Sequence, residues 1–101
     1  MKINISIQAH EDIRSACHYI KNVIKSPIAA DKLYEKIYNK IDLIRYTPEA
    51  YLKIKTHNKE IIRYISADSY NIYYIFDKKH NTIKITRVIY SKRNINDKLL
   101  D

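Results

Sequence analysis

The chain has no glycine and no tryptophan, and only one cysteine, one methionine and two prolines in its 101 residues. Each shortage excludes something. Without glycine there is no Walker P-loop and no GxGxxG dinucleotide turn, because both need a residue lacking Cβ where backbone meets phosphate. A single thiol, Cys17, makes neither an internal disulfide nor a CxxC zinc site, and it suits a reducing compartment. Acidic residues are the minority: 11 Asp and Glu stand against 19 Lys and Arg, a formal net charge of +8. That balance favours a polyanion or an acidic protein as partner and leaves the fold open. Long apolar runs are absent too. Lys2, Asn4, Ser6, Gln8 and His10 interrupt the N-terminal apolar positions, and no stretch approaches the ~20 residues of a membrane helix. The expectation is a soluble cytoplasmic protein that does not engage a membrane. What is present, 46% hydrophobic and 30% charged residues, suits one globular domain over residues 1–101 with one modest core.

Hydrophobic periodicity divides the chain into elements. Residues 2–7 alternate strictly, with Ile3, Ile5 and Ile7 on one face, which predicts a half-buried strand. Ile13, Ala16, Cys17, Ile20, Val23 and Ile24 then recur at helical spacing, predicting a helix over roughly 8–25 with Glu11 and Asp12 in its first turn. Ser26-Pro27 breaks it. Serine caps and proline opens a second helix, from about 27 to 46, with Ala30, Leu33, Ile37, Ile41 and Ile44 as its stripe and Pro48 as its stop. So short a connection folds the two helices back as a hairpin. A polar stretch over 47–59 follows, with a short extended piece at Tyr51–Lys55. Strands are expected at Glu60–Ser66, Tyr70–Phe76 and Thr82–Tyr90, separated by turns at 67–69 and 77–81 that use Asp, His and Asn instead of glycine. Both Val88 and Ile89 are apolar after Ile83 and Ile85, a slip of phase that a bulge near Arg87 explains. The tail, Ser91–Asp101, has room for one helical turn. The order β-α-α-β-β-β predicts an α+β domain in which a helical hairpin covers a small, mostly antiparallel twisted sheet. The packing expected joins Ile13, Ile20, Val23, Leu33, Ile37, Ile41 and Ile44 to a sheet face bearing Ile3, Ile5, Ile7 and Ile72.

Chemistry is sparse. His10, His18, His57 and His80 have no metal-ligand spacing, so no metal is expected. Adjacent Cys17 and His18 point about 100° apart on a helix and make no catalytic pair. The basic residues say more. Lys53, Lys55, Arg63, Arg87, Lys92 and Arg93 lie on or beside the strands, interleaved with Tyr64, Tyr70, Tyr73, Tyr74 and Tyr90. If the strands share a sheet, these charges can converge on one face or edge. Such a surface suits RNA, where bases stack and phosphates pair, and equally an acidic protein. The plainer reading is solvated lysines and sheet-forming tyrosines. Arg63, in phase with Ile61 and Ile65, is expected to be a partly buried charge that needs a partner.

Several stretches carry a family likeness. They are Ala9-His10-Glu11-Asp12-Ile13 through Tyr19-Ile20, then Pro27 to Leu33, then Ile44, Pro48 and Glu49. Ile62-Arg63, Tyr70-Asn71-Ile72-Tyr73-Tyr74 and Ile85 through Asn94 complete the set. In this order they resemble, over nearly the whole chain, the RelE/ParE superfamily of toxins from type II toxin–antitoxin systems. The resemblance implies a growth-inhibiting toxin, plasmid stabilisation as a setting, a cognate antitoxin with an extended, acidic C-terminal segment, and no cofactor.

The superfamily divides by target, and the resemblance implies different roles for the same residues. RelE-like members are ribosome-dependent mRNA interferases that help a ribose 2′-hydroxyl attack the adjacent phosphate. In such a site Arg63, Arg93 and Lys92, with Lys53 or Lys55, would supply charge and move protons. Those members carry an arginine where this chain has Asn71, and a late Tyr or His that the tail here lacks. ParE-like members poison DNA gyrase by binding and often have His or Tyr before the closing basic pair, as Tyr90 stands before Lys92 and Arg93. These departures favour the ParE-like branch. In it Lys53, Lys55, Arg63, Arg87, Tyr90, Lys92 and Arg93 would contact target or antitoxin. The alternatives are a RelE-like interferase acting on ribosome-bound mRNA and a non-toxic basic module that binds RNA or protein.

Overall fold

The alternation of Lys2–Ile5 makes β1, and Ser6 ends it early. Its hydroxyl accepts the Ala9 N–H at 2.9 Å, so Ser6 is a helix N-cap and α1 begins at once, Ile7–Asn22. Ile7 is therefore not the last strand residue on the buried face: it is the first helical residue and is 82% exposed. Glu11 and Asp12 consequently fall beyond the first turn. The chain is described here from a computed structural model, over residues 1–55 and 60–92. Arg93, His57 and the expected turn in the tail lie outside those residues.

Ser26 caps α2 (Pro27–Ile44) by accepting the Ala29 N–H, with Pro27 at the first helical position. Four residues join the helices, and Lys25 takes a left-handed backbone there (φ 62°) that glycine would ordinarily supply. Val23, expected in the core, caps the end of α1 and is 60% exposed. The other expected helix positions pack inward. Ile13, Leu33, Ile37, Ile41 and Ile44 are buried and Ile20 leans against them.

Four more strands follow: β2 (Leu52–Lys55), β3 (Ile61–Ala67), β4 (Tyr70–Asp77) and β5 (Thr82–Tyr90). The short extended piece thus becomes a strand of its own. The sheet order is β1-β5-β4-β3-β2, antiparallel except that β1 runs parallel to β5. Asp68 and Asn81, both left-handed, close the two hairpin turns without glycine. The bulge lies one residue before Arg87. Tyr73 faces Arg87 and Tyr74 faces Ile85, leaving Thr86 as the extra residue, its hydroxyl donating to the Tyr73 carbonyl at 3.2 Å.

The sheet has two apolar faces. Ile65, Ala67, Ile72, Tyr74, Ile83, Ile85 and Val88 pack with the helices, joined by Ile3 and Ile5. Ile62, Tyr73 and Ile89 form a second cluster on the far face, flanked by Ile54, Tyr64 and Ile75. No described helix is long and apolar enough to cross a membrane.

Candidate functional site

Sheet order decides which basic residues meet. Lys53 and Arg63 are cross-strand partners, and Arg63 pairs in turn with Tyr74. Arg87 lies on β5, two strands from β3, about 10 Å away. Tyr90 pairs with Tyr70 and then Ala67, four residues along β3 from Arg63. Lys92 is exposed in the turn beyond β5. The candidate basic residues that are described therefore occupy two places, one near β2 and β3 and one along β5 or just beyond it.

Both strand arginines are committed to internal partners. Arg63 Nη1 donates to the carbonyls of Glu49 and Tyr51 at 3.0 and 3.1 Å. The neighbouring Tyr74 hydroxyl donates to the Pro48 carbonyl at 2.6 Å. Together they fasten the α2–β2 connection to the sheet. Burial pushes the Tyr74 phenol up from 10.0 to about 12. The partner that Arg63's partly buried position requires is thus a pair of carbonyl oxygens.

Arg87 has a carboxylate instead. Its Nε and Nη2 donate to both oxygens of Asp12, at 2.7 and 2.9 Å, and Asp12 Oδ2 also accepts the Val88 N–H at 3.0 Å. The bidentate hydrogen bond raises the Arg87 pKa further above its ordinary value. Asp12 thereby docks α1 onto the edge of β5. Sequence reasoning placed Asp12 at a helix end and missed this role. The available signal was its position beside the buried stripe of Ala9, Ile13 and Ala16, where a carboxylate needs a partner.

Asn71, where interferases carry arginine, is held between two neighbours. Its Oδ1 accepts from the Ser66 hydroxyl at 2.9 Å and its Nδ2 donates to the Tyr73 hydroxyl at 3.2 Å. Tyr73 stacks on Tyr64 with centroids 5.3 Å apart, and burial raises its pKa. Lys53 is exposed. The Lys55 side chain lies outside the described residues.

Between α1 and β5 runs a groove of about 820 Å³. Ser15, Ala16 and Tyr19 line one wall and Arg87, Val88 and Tyr90 the other. Among the described residues, no cluster of three or more His, Cys, Asp or Glu is placed to hold a metal ion.

No protein-family model and no curated protein sequence matches the chain. Solved structures do. A chain of the chromosomal ParDE TA system from P. aeruginosa aligns over 91% of this chain and 97% of its own, with TM-score 0.72 and 15% identity. The archaeal RelE-RelB complex from Pyrococcus horikoshii OT3 gives TM-score 0.63 and 18% identity, over 92% of this chain and 97% of the other. The YoeB/ParE toxin from Agrobacterium tumefaciens gives 0.57 and 17%, over 89% and 98%. The chain therefore has the RelE/ParE fold, an α+β domain with two helices on a five-stranded, mostly antiparallel sheet.

Proposed function

We propose that this chain is the toxin of a type II toxin–antitoxin system, neutralised by a cognate antitoxin. We further propose that it acts as ParE-like toxins do, by binding and poisoning DNA gyrase. The fold supports the first step, since its structural neighbours include a ParDE system and a RelE-RelB complex. The observation that carries the second is the commitment of the strand arginines. An interferase needs cations aimed at the phosphorane oxygens as charge develops there. Here Arg63 holds two carbonyls, Arg87 holds Asp12, and Asn71 brings no charge. A binding toxin has no such requirement. Its basic surface, with Lys53 and Lys92 exposed and Lys55 and Arg93 nearby in sequence, serves recognition of an acidic partner.

Induced expression followed by pulse labelling of DNA and protein synthesis tests this. DNA damage with translation intact is the expected result. An immediate stop in translation with cut messages would overturn it.

One observation favours a second reading, the RelE-like interferase. Lys53 lies directly across from Arg63, so a phosphate there would meet two cations if Arg63 released its carbonyls. In that reading Arg63, Lys92 and Arg93 are the catalytic candidates, and Arg63→Ala abolishes cleavage.

A further inference from the structure

A second groove lies between the two helices. Its volume is about 550 Å³, an ordinary size for a small-molecule site, and among the described residues only α1 and α2 line it. Neither the strand arginines nor Asn71 takes part in it.

Helical spacing builds its walls. On α1, Arg14, His18 and Lys21 stand at i, i+4 and i+7, so they share one face and run about 10 Å along the axis. All three are exposed and carry nitrogen donors. Arg14 Nη2 lies 3.6 Å from Glu11 Oε1, an ion pair between exposed side chains that a ligand displaces at little cost. Asn22 Nδ2 stands 3.1 Å from His18 Nδ1. An amide nitrogen only donates, so Nδ1 accepts and the proton on Nε2 makes that atom a donor.

On α2, Asp31, Tyr34 and Tyr38 share a face in the same way. The two rings pack with centroids 4.7 Å apart, and a side-chain hydrogen bond joins them. Tyr34 is 52% exposed, which leaves much of its ring open. Between the walls lie buried Ile13 and Ala30 and partly buried Cys17. Burial, and then the Asp31 carboxylate, push the Cys17 thiol up from its ordinary value. At neutral pH it is an uncharged part of the floor and not a thiolate.

The two walls select different parts of one ligand. Bare phosphate suits the α1 wall, but it leaves the tyrosines in water and is repelled by Asp31. A neutral aromatic molecule leaves the cations unused. A molecule with phosphate at one side, a flat base at the other and hydroxyls between them satisfies every group. Tyr34 offers one open ring and so a place for one base, whereas a nucleic-acid strand uses a succession of such platforms. The chain lacks the glycine-rich turn that cradles phosphate with backbone amides, and this groove offers side chains instead. We propose that the groove between α1 and α2 binds a nucleoside monophosphate. Arg14, His18 and Lys21 hold the phosphate, the base stacks on Tyr34, and a ribose hydroxyl donates to Asp31. This site is independent of the toxin reading.

Amide chemical-shift titration of the full chain at physiological salt tests it, with adenosine 5′-monophosphate, adenosine and inorganic phosphate as probes. The monophosphate should bind about tenfold more tightly than either of the others, with shifts confined to residues 10–22 and 30–38. Arg14→Ala and Lys21→Ala should each weaken it about three- to tenfold. Tyr34→Ala should weaken it about five- to hundredfold, and Tyr34→Phe, which keeps the ring, should bind like wild type. These positions are exposed, so the variants keep the fold, and the unshifted amides of the sheet check that. If inorganic phosphate binds as tightly as the monophosphate, the chain attracts anions only through its charge of +8 and the proposal fails. It fails equally if no probe shifts the spectrum, if the shifts fall on the sheet, or if Tyr34→Ala binds like wild type. A single-stranded oligonucleotide binding far more tightly than the monophosphate would also overturn it, since the groove would then be a nucleic-acid contact.

Discussion

The two halves of β5 belong to one strand and meet different fates. From Thr82 to Ile85 the strand is sandwiched between β1 and β4, and Ile83 and Ile85 are wholly buried. From Arg87 to Tyr90 it has β4 on one side, and on the other, among the described residues, the Asp12 carboxylate and then a groove. The bulge at Thr86 separates them. The first half is ordinary sheet interior, and sequence alternation suffices to specify it. The second half is held by one polar contact, so its energetics depend on Asp12 and Arg87 more than on apolar burial.

The largest expected effect tests the weakly sealed half. Asp12→Ala strands the Arg87 guanidinium, whose side chain is 19% exposed, and frees the Val88 N–H. Losing one partner of so buried a pair should cost about 3–5 kcal/mol in a denaturant titration. A loss under 1 kcal/mol would mean that α1 is docked by apolar contacts alone. Ile85→Ala probes the sealed half, where deletion of a wholly buried side chain should cost roughly 2–5 kcal/mol. Ile37→Ala, equally buried on α2, should fall in the same range. Tyr90→Ala, in the weakly sealed half, should cost clearly less than either.

A smaller effect concerns the clamp at Tyr74. The folded phenol, pushed up to about 12, prefers to stay protonated, whereas the unfolded phenol titrates near 10. Its contribution is complete below pH 10 and is lost as pH rises through about 12. Stability should therefore fall across that window, and Tyr74→Phe should flatten this part of the profile. Tyr74→Phe itself should cost about 1–2 kcal/mol at neutral pH through the lost bond to Pro48. The smallest change is Ser6→Ala, which removes a helix cap and the bond to Thr86. Chemical denaturation should register about 1 kcal/mol.

Much of this was legible in the chain itself. The Ser26-Pro27 boundary, the stripe from Leu33 to Ile44 and the phase slip before Val88 each have a local cause, and each lies where periodicity puts it. The misses share another cause. Ile7 continues the alternation of β1, yet Ser6 captures the Ala9 N–H and turns the chain into helix first. Val23 continues the stripe of α1, but the helix ends at Asn22. In both cases a capping contact outweighed a pattern. The candidate site was legible in composition but not in arrangement. Sequence identifies Arg63 and Arg87 as strand arginines. Their partners, carbonyls 12 and 14 residues away and a carboxylate 75 residues away, exist only once the strands are ordered.

The central claim is that these arginines serve the fold and that the chain acts by binding. Purified ribosomes carrying a defined message, mixed with the wild-type chain and assayed for cut RNA, test it most directly. The account predicts intact message. Codon-specific cuts in the ribosomal A site, abolished by Arg63→Ala in a variant that still folds, would contradict it.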